Sequence, residues 1–271
     1  MHEQDELTYL LQKIDQLSHP ADMARRLVLC QQAVKLVSRK DDPEKWANLQ
    51  NEIGYSLIRN PKRDQAANIE QAIKHFEQAL AIFDHHKNRK AWAMVQNNLA
   101  NAYAQRVQGD RAENLEKAIE HHHRALNGYH LEDDPFEWAE THNNLANTYM
   151  LRIEGKRAKN IEKAIRLYQA ALDVYERERY PQDWAMIQNN LANAYGERIR
   201  GDHGENLEQA LAYAKRALQV YDRDAFALDW AMAHLNMANA YFDRVYGDED
   251  ENLEKAIHHY KLAQEVKTQH T

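Results

Sequence analysis

Every tryptophan in this chain of 271 residues lies 46 residues from the next. Trp46, Trp92, Trp138, Trp184 and Trp230 each open a copy of one segment. It reads WAMVQNNLANAYAQRVQGDRAENLEKAI at residues 92–119 and returns as WAMIQNNLANAYGERIRGDHGENLEQAL at residues 184–211. A fixed period of this size marks stacked-repeat architectures, in which one unit cannot bury its apolar face alone and packs on its neighbours. The chain is therefore expected to build a long, layered core.

The period resolves into two helices. Only eight glycines and five prolines interrupt a composition dominated by helix formers, which argues against a β-rich or disordered chain. The first helix is expected from a little before each Trp to just before Gly109, Gly155, Gly201 or Gly247, with glycine as a left-handed C-terminal cap. In the first copy Arg63 follows Pro61 instead, so that turn is built differently. The second helix is expected to start around Asn68, Asn114, Asn160, Asn206 and Asn252, each followed two places later by a Glu suited to the helix dipole. Leu115, Ala118, Ile119, Ala125, Leu126 and Tyr129 then recur at helical spacing. On the first helix, Trp92, Leu99, Ala100, Tyr103 and Arg106 share a stripe, and Arg106, with Arg152, Arg198 and Arg244, is assigned to a local carboxylate.

Residues 1–40 resemble half a period: QQAVKLV (31–37) mirrors EQALAIF (77–83), and ELTYLLQKIDQL is amphipathic up to Ser18-His19-Pro20. The domain assignment is an N-terminal capping helix pair at 1–40, then five repeats over 41–271. The last repeat carries Gln264 where Leu80, Leu126, Leu172 and Leu218 stand, and Lys267 where Phe83, Tyr129, Tyr175 and Tyr221 stand. Polar residues at stacking positions are expected of a terminal cap, so the array is read as finished there. The fold class is all-α, about twelve helices in six antiparallel pairs.

Several functions are disfavoured. A formal net charge of −7 supplies no basic footprint for nucleic acid or an anionic membrane. No apolar run approaches a membrane span, and no signal-peptide core opens the chain. The one cysteine, Cys30, cannot form an internal disulfide, which suits a reducing, cytoplasmic compartment. Consecutive helical residues point about 100° apart, so His121, His122 and His123 cannot chelate one ion well. His122 also fills a column held by Phe76, Tyr168 and Tyr260, and Cys30 fills it one period earlier; both are expected in the core. No phosphate loop, nucleophile elbow or HExxH appears. The expectation is no enzyme, no cofactor and no metal.

Leu99, Ala100, Tyr103, Ala118, His122 and Ala125 have the spacing of the tetratricopeptide repeat family. Leu191, Ala192, Tyr195, Ala210 and Ala217 match as well, with Tyr213 shifted by one, and Ile53 and Gly54 match in the first copy, where Leu57 replaces Tyr. The family period is about 34 residues. The longer period and the NNLANAY core most resemble repeats of kinesin light chains and of bacterial proteins carrying CHAT protease domains. The resemblance covers residues 21–268, and no protease-like segment follows. It implies a right-handed α-solenoid whose first helices line a concave groove.

In that groove, family members holding extended peptides use asparagine. The matching residues are Asn97 and Asn101, Asn143 and Asn147, Asn189 and Asn193, and Asn239. A carboxamide offers both donor and acceptor, as a peptide unit requires. Met94, Met186 and Met232 lie beside them as adaptable apolar surface. Position 104 drifts to Met150, Gly196 and Phe242, and position 105 to Leu151, Glu197 and Asp243, while the asparagines persist. Asn98, Asn144, Asn190 and Asn236 form a third row, either structural or binding. The ends differ, with Tyr55 and Arg59 at one and Leu235, Phe242 and Asp243 at the other; Arg59 alone is placed for a carboxylate clamp. The implied function is a non-catalytic adaptor binding an extended segment of another protein. The alternatives are a self-assembling structural protein, a homo-oligomer with an idle groove, or a sensor of a short signalling peptide.

Overall fold

The computed structural model describes residues 3–60 and 64–269, with twelve α-helices and no strand among them. It divides into two compact units, Met1–Glu137 and Trp138–Thr271. The first holds α1 (Glu3–Asp15), α2 (Met23–Ala33), α3 (Pro43–Ile58), α4 (Gln65–Leu80), α5 (Arg89–Gln105) and α6 (Arg111–Gly128), and α7 (Pro135–Leu151) begins at its end. The second holds the rest of α7, then α8 (Arg157–Leu172), α9 (Pro181–Gly196), α10 (His203–Ala217), α11 (Ala227–Phe242) and α12 (Glu249–Gln269). From α1 to α6, and again from α8 to α12, each helix packs on the next, and α3 meets α5 as α9 meets α11. The all-α repeat architecture and the helix count follow the sequence expectation.

Helix boundaries differ from it, for a physical reason. The second helix of each pair starts about one turn earlier than the asparagine. Asp64, Asp110, Asp202 and Asp248 accept from the first-turn backbone of α4, α6, α10 and α12 at 2.9–3.3 Å. The buried asparagine that follows does other work. Asn114, Asn160, Asn206 and Asn252 donate back to the carbonyls of Gln108, Glu154, Arg200 and Tyr246 at 2.8–2.9 Å. Their oxygens accept from Nη1 of Arg106, Arg152, Arg198 and Arg244 at 3.2–3.4 Å. Each asparagine therefore fastens the inter-helix turn. The four glycines do sit at φ between +79° and +87°, but in that turn, beside the N-cap residue. The first helices have already ended at Gln105, Leu151, Gly196 and Phe242. The turn at residues 61–63 and the side chain of Lys267 lie outside what is described.

Three of the recurrent arginines pair with carboxylates, but in the preceding repeat. Arg106 grips Glu70, Arg198 grips Glu162 and Arg244 grips Glu208, at 2.6–2.7 Å from Nε. The glutamates two places after Asn68, Asn160 and Asn206, expected to serve the helix dipole, thus each tie two repeats together. Hydrogen bonds from the guanidinium hold the Glu70 and Glu162 carboxyls below their ordinary value. Three tryptophans are covered by an arginine seven places earlier: Arg39, Arg177 and Arg223 lie 4.9–5.8 Å over the rings of Trp46, Trp184 and Trp230. His85 meets the Trp92 ring edge-on at 4.7 Å.

The cores are built from the expected stripes. In the first unit Leu27, Cys30, Leu49, Ile53, Ile69, Phe76 and Leu99 are buried together with Leu10 and Ile14 of α1. In the second unit Ala192, Leu207, Leu211, Met237 and Tyr241 form one cluster, and Ala185, Ala217, Tyr221 and Ala233 another. Burial pushes the Cys30 thiol up to about 12, so it stays protonated and unreactive.

Candidate functional site

The asparagines of the first helices divide into a structural row and a surface row. Asn97 and Asn143 are buried, at 5% and 3% exposure. This corrects the expectation that Asn97 and Asn143 line an open groove. The third-row residues explain why, since they reach back to the preceding repeat. Asn190 donates to Asn143 Oδ1 at 2.9 Å, and Asn236 to Asn189 Oδ1 at 2.7 Å. Asn98 does the same to Asn51, the equivalent residue of the first copy, at 2.9 Å. Within each unit, α5 leans on α3, α9 on α7 and α11 on α9 along this line, and the first-row carboxamides of Asn51, Asn143 and Asn189 are consumed as acceptors. Asn97 meets His122 Nδ1 at 3.1 Å.

One turn further along, the second row is open. Asn101 and Asn147 are half-buried, and Asn193 and Asn239 are exposed. Tyrosines on the partner helix hold two of them from behind: Tyr168 Oη donates to Asn147 Oδ1 at 2.6 Å, and Tyr260 Oη to Asn239 Oδ1 at 2.7 Å. The carboxamide N–H groups of those two are left for an outside acceptor. The Asn193 carboxamide has no hydrogen-bond partner among the described residues, because Ala214 occupies the column of Tyr168 and Tyr260. Beside it lies a cavity of about 230 Å³ between α9 and α11, lined by Asn193, Gly196, Glu197, Leu207, Asn239 and Asp243 among others. Sequence reading missed this cavity, although its signals were visible: glycine at 196, and the tyrosine of this repeat displaced to Tyr213.

Of the methionines, Met94 and Met186 are half-buried and Met232 is exposed. Arg59 stacks on Tyr55, its guanidinium carbon 4.9 Å from the ring centre. The histidines point apart: His121 Nδ1 meets Gln96 Oε1 at 2.6 Å and its ring stacks on Tyr103, while His122 is enclosed against Asn97. Burial lowers His121 to about 4 and His122 to about 3, so both rings are neutral at pH 7. Among the described residues, no helix is long and apolar enough to cross a membrane.

Residues 92–135, about one period, match the family model described as tetratricopeptide repeat. That segment is similar to a tetratricopeptide repeat. Two solved structures share the architecture. BtubC (BKLC) from P. vanneervenii superposes with a TM-score of 0.51 at 16% identity, covering 99% of this chain and 92% of that one. A putative kinesin light chain from Podosopora anserina, described as having nearly identical TPR-like repeats, gives a TM-score of 0.56 at 16% identity. There 85% of this chain and 99% of the other are covered. At that identity the likeness is one of fold. No curated protein matches the sequence. Tetratricopeptide repeats generally mediate protein–protein interaction.

Proposed function

We propose that the protein is a non-catalytic interaction module that binds an extended segment of another protein through the second-row asparagines. The observation that carries this reading is the division of labour between the rows. Asn97, Asn143 and Asn189 are committed to neighbouring helices, whereas Asn101, Asn147, Asn193 and Asn239 keep amide groups at the surface. Tyr168 and Tyr260 orient two of those amides by taking their oxygens, which presents N–H donors toward a peptide carbonyl. Orientation from behind lowers the ordering cost of binding. Asn97, Asn143 and Asn189, named from sequence as binding residues, act in this reading as the frame.

The test compares two multiple variants against a partner captured from the source cell. Asn101→Ala, Asn147→Ala, Asn193→Ala and Asn239→Ala together should weaken partner binding by at least about thirtyfold, at about 0.5–1.5 kcal/mol for each hydrogen bond. The thermal unfolding temperature should move by only a few degrees. Asn97→Ala, Asn143→Ala and Asn189→Ala together should lower it sharply by orphaning the buried His122 ring and the half-buried carboxamides of Asn190 and Asn236. Full binding by the second-row variant would end the proposal.

A further inference from the structure

The repeat carrying α9 and α10 departs from its siblings at two columns at once. Gly196 stands where Ala104, Met150 and Phe242 stand, and Ala214 where His122, Tyr168 and Tyr260 stand. Gly196 lines the cavity between α9 and α11, beside the Asn193 that no tyrosine holds. A Cβ added to Gly196 would meet no heavy atom within 4 Å. At about 230 Å³ the space falls below the roughly 300–1,000 Å³ typical of small-molecule pockets, and it suits a single long side chain.

Its lining is polar and of one charge. Glu197 and Asp243 face it, and no Lys, Arg or His does. Arg157 of α8 pairs with Glu197 from outside that lining, and Asp243 has no ion pair among the described residues. Asn193 and Asn239 sit one turn before the two carboxylates, at 46-residue spacing. The matching columns of α3 carry Tyr55 and Arg59, with the cation stacked on the ring, so the first unit offers no equivalent there.

We infer that this cavity receives a lysine or arginine side chain of the bound segment. This rests on the peptide-binding reading above and names the residue class that reading leaves open. Asp243 and Glu197 hold the cation, the cavity holds its aliphatic stem against Leu207 and Ala240, and Asn193 and Asn239 hold the flanking main chain. The partner is therefore an extended peptide with a basic residue at a fixed position. A uniformly acidic or apolar segment would leave a desolvated carboxylate unmatched.

The test is an array of random 12-residue peptides whose central residue is fixed as Lys, Arg, norleucine or Glu, probed with the full chain. The Lys and Arg sets should retain at least fivefold more protein than the norleucine and Glu sets. Asp243→Asn should cut that preference at least threefold, and so should Gly196→Met, which fills the cavity from a position with open space. Glu249→Gln, an equal charge change at the exposed start of α12, should leave the preference intact. Thermal melts check that each variant folds, and Asp243→Asn alone decides the matter if Gly196→Met does not. Equal retention of all four sets overturns the inference while peptide binding stands. So does a preference untouched by Asp243→Asn, or one lost equally in Glu249→Gln. Retention on none of the sets overturns the peptide-binding reading itself, and the cavity assignment falls with it.

Discussion

His122 should make the protein sensitive to mild acid, and His122→Phe should remove that sensitivity. The ring is fully enclosed on α6, Nδ1 lies 3.1 Å from Asn97 Oδ1, and Nε2 has no hydrogen-bond partner among the described residues. A charged imidazolium there would bury an unpaired N–H, and desolvation lowers its pKa from 6.5 to about 3. The folded value lies below the unfolded one, so the unfolded chain binds more protons over that window. Stability from this residue is complete above pH 6.5 and is lost as the pH falls toward 3. At pH 5 the unfolded state has gained about 1.5 units of protonation advantage, which at roughly 1.36 kcal/mol per unit is a loss of about 2 kcal/mol.

Phenylalanine is a sound replacement because Phe76 fills the same column in α4, fully buried. Its packing differences, and the orphaned Asn97 oxygen, cost about the same at both pH values and cancel in the comparison. His121 and His259, each lowered by burial to about 4, titrate in both proteins and cancel too. Urea unfolding at pH 7 and pH 5, followed by far-UV circular dichroism, should show wild type losing about 2 kcal/mol more than His122→Phe. Equal losses would refute the reasoning, because a buried neutral histidine cannot escape this linkage.

Two further outcomes are expected. Gly201→Ala, at φ +85°, should destabilise by about 1–2 kcal/mol, read from the urea midpoint, although a Cβ there meets nothing closer than 3.7 Å. Glu162→Gln should cost on the order of 1 kcal/mol at pH 7 by weakening the grip of Arg198, and a double-mutant cycle with Arg198→Met should recover it. The carboxyl is held below its ordinary 4.5, so that stabilisation is present above pH 4.5 and disappears as the pH falls further.

The sequence made the architecture legible because the period acts five times over. Tryptophans at 46-residue spacing, apolar stripes and turn glycines all repeat, and each repetition corrects a local ambiguity in the others. What periodicity cannot separate is two reasons for the same residue to recur. Asn114 and its equivalents recur at a helix start, so they read as caps; the actual caps, on every second helix but α8 and the N-terminal one, are the aspartates four places earlier. Those asparagines recur because they bridge an arginine and a turn carbonyl, contacts that appear only once the turn is folded. Asn97 and Asn101 likewise recur together and lie on one helical stripe. Only the partner 47 residues away in the next first helix, Asn190 for Asn143 and Asn236 for Asn189, distinguishes the frame from the surface.

Surface chemistry in this array is set from behind, by one column of the second helices. That column reads Cys30, Phe76, His122, Tyr168, Ala214 and Tyr260. Phenylalanine offers no polar group, and the first-helix residue one turn past the framing row is Tyr55; the Phe76 ring lies so close that a Cβ on Gly54 would sit 2.5 Å from it. Histidine reaches only as far as the framing Asn97 and leaves Asn101 without its oxygen taken. Tyrosine is longer, and its hydroxyl passes the frame to reach Asn147 and Asn239. Alanine reaches neither, and there Asn193 stands free beside a cavity. A position behind the frame that varies in size and polarity while the frame repeats therefore sets how each second-row asparagine is held. Exchanging Ala214→Tyr tests the rule directly. The new hydroxyl should bond Asn193 and narrow the cavity, and the preference for a basic residue at the array's central position should fall at least threefold while Asn239 remains as it is. An unchanged preference would show that the column governs packing alone.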